Sequence, residues 1–140
     1  MSFKRVLVSD ASRIPTPMRA GDGLLANVSP TNFNAEADAT LTTAQLGGGY
    51  IVQGLTLTSD VVYTLPTATL IQAESGYDSM DVGDAFTFYV GNNQAAAFDV
   101  VIAVGAGITA VGTNNNLTVG PQSGKLFTLV KSGTNTFDLY

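Results

Sequence analysis

The sequence predicts an all-β domain behind an extended N-terminal arm, with at most one short helix. Three observations carry this. After Thr40, strand-sized apolar runs rich in β-branched and aromatic residues recur between turn residues. They follow one another about every 8 to 12 residues, the spacing of a sandwich or barrel. From Ser9 to about Ala37, by contrast, no strand or helix period is sustained, and Pro15, Pro17, Pro30, Gly21 and Gly23 punctuate the chain.

The arm is assigned to residues 1–38 and the β domain to 39–140, with one short strand possible at 4–8. Within the domain, Tyr50-Ile51-Val52 follows three glycines, and Val61 to Leu65 ends at Pro66. A helical turn or two is expected from Thr67 to Glu74. There Thr67 can cap the N-terminus after Pro66, with Leu70 and Ile71 facing inward. Ala85 to Val90 alternates, with Phe86, Phe88 and Val90 on one face and Thr87 and Tyr89 on the other. Runs at Phe98–Val104, Ile108–Val111, Leu117–Val119, Lys125–Val130 and Thr136–Tyr140 complete the series. Leu126 and Phe127 point oppositely, so both faces of that strand are expected to be covered, and Gly105-Ala-Gly107 reads as a hairpin turn. No internal repeat at a fixed period is present.

At 140 residues the chain fits one domain with a real core. Charged residues make up 12%, about half the roughly 25% of an ordinary soluble domain. Surfaces so poor in charge suit burial against other subunits, since a charge removed from water must be paired. There is no His and no Cys, which excludes disulfides, thiol chemistry and zinc sites of the usual nitrogen and sulfur ligands. No apolar run is long enough to span a bilayer, and Val6-Leu7-Val8 is too short for a secretory signal, so synthesis in a cytosol is expected.

Lys4, Arg5, Arg13 and Arg19 face one acid, Asp10, in the first twenty residues, a charge of +3. The rest holds two basic residues against ten acids, a charge of −8. With no dense basic cluster and no aromatic interleaving beyond Phe3, nucleic acid is not the expected partner. The four basic residues are instead the candidate partner-binding set, suited to an acidic protein surface.

No catalytic, cofactor or metal residues are nominated. Asp78, Asp81 and Asp84 recur beside Gly76 and Gly83, a pattern that offers oxygens to calcium, but match no EF-hand spacing and read as a solvated loop. No carboxylate pair stands out for glycoside hydrolysis. Gly120-Pro-Gln-Ser-Gly-Lys125 is one residue short of a phosphate loop, lacks the following Ser or Thr, and leads into a strand; it reads as a turn. Asn27-Val-Ser29 and Asn116-Leu-Thr118 match the glycosylation triplet by chance, and Tyr77 reads as an ordinary surface or core tyrosine rather than a sugar platform.

Six segments occur in one order: Leu41–Leu46, Tyr63–Ala68, Val82–Phe88, Ala106–Thr109, Ser123–Leu129 and Ser132–Phe137. Together they resemble a family of small β proteins of tailed bacteriophages, the capsid decoration (cement) proteins and related head or tail fibre modules. The resemblance covers about 100 residues, from Thr40 to Tyr140, and leaves out the arm. It implies a jelly-roll-like antiparallel β-sandwich, a homotrimer on the outer capsid surface of the virion, and the major capsid protein as partner. With no His, no Cys and no organised acid–base set, no enzyme activity or cofactor is expected, and the composition points to neither nucleic acid nor membrane. The alternative the resemblance leaves is a fibre module binding a host receptor or glycan, although the chain has neither heptads nor repeats for a shaft.

Overall fold

The computed structural model describes residues 29–112 and 116–140. Two mixed β-sheets carry the chain, which is mostly strand, as expected for an all-β protein. The larger sheet has the order β1 (Thr31–Phe33), β3 (Tyr50–Gln53), β5 (Ala85–Asn92), β9 (Ser123–Gly133), β10 (Thr136–Leu139), β7 (Ile108–Ala110). The smaller runs β2 (Ala39–Thr40), β4 (Val61–Thr64), β6 (Val100–Ala103), β8 (Thr118–Val119).

The chain alternates between the sheets through its first eight strands. Through β6, each return lays a strand parallel to its predecessor: β1, β3, β5 in the large sheet and β2, β4, β6 in the small one. The result is a coil of three rungs. Two antiparallel strands close one end, β9 on β5 and β8 on β6, and β10 links β9 to a parallel β7. Five of the eight pairings are thus parallel, which corrects the expected antiparallel, hairpin-built sandwich. Side-chain alternation is the same in both ladder types, so the pattern that places strands is silent on their direction.

The rungs are uneven. Thr31 lies opposite Ile51 and Ile51 opposite Val90, steps of 20 and 39 residues. In the small sheet Ala39 faces Tyr63 and Tyr63 faces Ile102, steps of 24 and 39.

Two helices sit in the crossings, where at most one was expected. In α1 (Thr43–Gly47), Thr42 and Gln45 form a capping box: the Thr42 hydroxyl accepts from the Gln45 amide at 3.1 Å, and the Thr42 amide donates to Gln45 Oε1 at 2.9 Å. In α2 (Ala68–Ala73), Thr67 caps as expected, its hydroxyl accepting from Leu70 N at 3.3 Å. Ile71 is buried there but Leu70 is 57% exposed, a correction to its inward placement. A six-residue helix lying on the body has room to bury one narrow stripe.

Side chains from both sheets and both helices share one core, including Ile51, Phe88, Leu129, Tyr63, Ile102, Leu46 and Ile71. Phe86, Phe88 and Val90 turn toward it while Thr87 is exposed, as the alternation predicts. On β9 only Phe127 and Leu129 are covered; Leu126 is 65% exposed, so that strand has one open face. Burial pushes the Tyr63 phenol up to about 12, against a hydrogen bond from Gln53 Nε2 at 2.8 Å. Gln53, also buried, donates to Ala35 O as well and accepts from Leu55 N, so its amide is paired at both ends.

Gly105 and Gly107 do not form a hairpin: they carry the chain from β6 in one sheet to β7 in the other. A Cβ at Gly105 would stand 2.6 Å from the Leu65 carbonyl oxygen, and Gly107 has φ of +82°, so the crossing lies tight against the start of α2. Residues 31–38, assigned by sequence to the arm, hold β1 and the turn into β2. Phe33 stacks on Tyr63 with centroids 4.4 Å apart, which anchors this part of the arm in the body.

Candidate functional site

The candidate partner-binding residues Lys4, Arg5, Arg13 and Arg19 lie outside the described residues, as do the strand expected at 4–8 and Asn27. The acidic loop is a turn pinned to β9. Asp84 Oδ2 accepts from Asp81 N at 2.8 Å, Gly83 N donates to Lys131 O at 2.8 Å, and Lys131 Nζ donates to Met80 O at 2.7 Å. Among the described residues no group of three or more acidic side chains is gathered to hold a metal ion. Gly120 to Lys125 is a turn into a strand, as read. Asn116 Oδ1 accepts from Thr118 N at 2.9 Å, a local turn contact. Tyr77 is half-buried and stacks on Phe86 at 4.5 Å, a core tyrosine.

A concavity lies on the outer face of the large sheet, and parallel register builds it. Tyr50 of β3 falls opposite Tyr89 of β5, and their rings stack at 4.7 Å and 28°. Two residues on, Val52 falls opposite Gly91, which faces Gly124 of β9. With no side chain at either glycine the Tyr89 ring can lie low across the sheet, and an open groove of about 390 Å³ runs beside it. Asn93, Gln122 and Ser123 line its far side. Gln122 holds φ of +51°, which turns the chain into β9, and the Ser123 hydroxyl donates to Gly120 O at 2.6 Å.

Gly124 also places Tyr89. A Cβ there would collide with the Tyr89 hydroxyl and ring, so the phenol lies across the space a side chain would take. Tyr89 is thereby held between Tyr50 on one strand and the bare backbone of β9 on the other.

No family model, no curated protein and no solved structure matches the chain.

The groove's chemistry is aromatic and neutral: two phenol rings, a valine, two carboxamides and a hydroxyl, with no ionisable acid or amine in the lining. It holds no nucleophile–base pair. Its tools are ring faces and hydrogen bonds, which suit recognition. Sequence reasoning missed Tyr50 and Tyr89 as a pair because they are 39 positions apart and meet only through parallel register.

Proposed function

We propose that this chain is a structural protein of a tailed-bacteriophage particle, decorating and cementing the capsid shell from outside. It assembles as a homotrimer, engages the major capsid protein through its basic arm, and performs no covalent chemistry. One observation supports this beyond the family resemblance of residues 40–140. At one end of the coil β1 and β2, the outermost strands of the two sheets, each have a neighbour on one side only among the described residues. Unpaired strand edges are templates for pairing with another chain. In sequence, the open rung follows the segment that carries Lys4, Arg5, Arg13 and Arg19.

Deleting residues 1–20 from the full chain tests the arm. The truncated protein is expected to keep its β signature by circular dichroism yet bind purified filled heads more weakly, with the deficit shrinking as salt rises. Equal binding at every salt concentration removes the arm from the mechanism. The second reading, a fibre module, is favoured by the groove alone; copurification with tails and not with heads would select it.

A further inference from the structure

We infer that the groove between Tyr50 and Gln122 is a binding site for a neutral pyranose unit of a glycan. This goes beyond the decoration role and does not depend on where in a particle the chain sits.

Charge narrows the ligand first. A site for a phosphate or carboxylate supplies Arg, Lys or clustered backbone amides, and a site for a cation supplies carboxylates. The groove lining has neither acid nor base. Shape narrows it further. At about 390 Å³ the groove sits near the small end of the ~300–1,000 Å³ typical of small-molecule sites, open on one side. A sugar ring presented from a longer chain fits such a shallow depression, whereas a proline-rich peptide requires a longer aromatic trough.

The lining then matches the two kinds of surface on a pyranose. Its C–H face carries partial positive charge from the ring and hydroxyl oxygens, and meets the negative face of a phenol ring. Tyr50, 40% exposed, offers such a ring, backed on its other face by the stacked Tyr89, and Leu126, directly opposite Tyr89 and 65% exposed, lies on the same sheet face beside the groove. The equatorial hydroxyls need partners that both donate and accept. The Asn93 and Gln122 carboxamides do both, Ser123 Oγ, whose proton goes to Gly120 O, accepts, and all three are exposed. Because Tyr89 is already held by Tyr50 and by the empty position at Gly124, the platform loses little freedom on binding.

Gly124→Ala gives the sharpest test. It removes no group that touches a ligand, and the backbone there accepts alanine, but the new methyl displaces the Tyr89 ring. Amide shifts of the full-length protein are followed by NMR against neutral oligosaccharides of glucose, galactose, mannose and N-acetylglucosamine, each in α and β linkage. Glucose 6-phosphate and a polyproline peptide serve as charged and peptide probes. The expected result is saturable shifts at residues 50–52, 89–93 and 122–124 with at least one neutral sugar. Tyr50→Ala and Gly124→Ala should each weaken affinity about tenfold, the worth of one aromatic contact. The spectrum of each variant shows whether it remains folded. Absence of shifts with every neutral sugar, shifts insensitive to both variants, or preference for the phosphate or the peptide would overturn the assignment.

Discussion

Glu36 ties the first rung of the coil to the second with one carboxylate. It accepts from the Thr58 amide at 2.8 Å, from the Thr58 hydroxyl at 2.7 and 2.8 Å, and from the Ser59 hydroxyl at 2.9 Å. These bonds, that of the Thr58 hydroxyl foremost, hold its pKa below the ordinary carboxylate value of 4.5. They favour the ionised form, so their contribution to stability is present above the unfolded-state pKa and is lost as pH falls through the folded one. Glu36→Gln is therefore expected to lower the thermal midpoint by a few degrees at neutral pH, with the gap closing as pH falls through the folded-state pKa. A gap that stays constant across that range would mean the charge contributes nothing. Asp38 and Asp60 also bridge rungs, accepting from Val62 N and Asp99 N respectively, each at 2.8 Å. In the sequence these acids register only as net charge; the fold uses them to satisfy amides where strands begin.

The elements most legible in the sequence are those whose faces differ most. Val61–Thr64 was legible as a β-branched apolar run ending at Pro66, and the start of Ala85–Asn92 from the alternation of Phe86, Phe88 and Val90. β1 and β2 have three and two residues, too few for any period, and only Phe33 marks the first as apolar. The capping box of α1 was overlooked because its five-residue helix buries only Leu46. Parallel order was hidden by rungs of 20 and 39 residues, since the longer one contains α2 and the turn at Asp81 and leaves no fixed period to detect. The groove was hidden for the same reason. The uneven coil carries a dynamic consequence as well. β5 lies between β3 and an eight-residue ladder on β9, whereas β1 pairs over three residues on one side. In the isolated protein, amides of β5 and β9 are expected to exchange with solvent slowest and those of β1 and β2 fastest. Equal protection across all rungs would show that the coil opens only as a unit.

Across the whole molecule, few charges and open edges favour association, and the two edges of the large sheet decide its symmetry. Among the described residues one is β1 and the other β7, and they are different surfaces. Pairing β1 with β1 of a second copy is isologous and stops at a dimer, whereas an edge-to-different-edge contact is head-to-tail and closes a ring if the rotation permits. The proposed homotrimer therefore requires the second kind, in which each copy spends its β1 edge on a dissimilar surface of the next. The groove, on the sheet face rather than its edge, stays accessible in that arrangement. Sedimentation of the full chain is expected to show a trimer. Asn32→Lys places a cation on the exposed middle of β1 and should shift the trimer toward monomer while the β signature remains. A dimer would indicate the isologous pairing instead. A monomer at high concentration, or a trimer indifferent to Asn32→Lys, would rule out the open rung as the assembly surface.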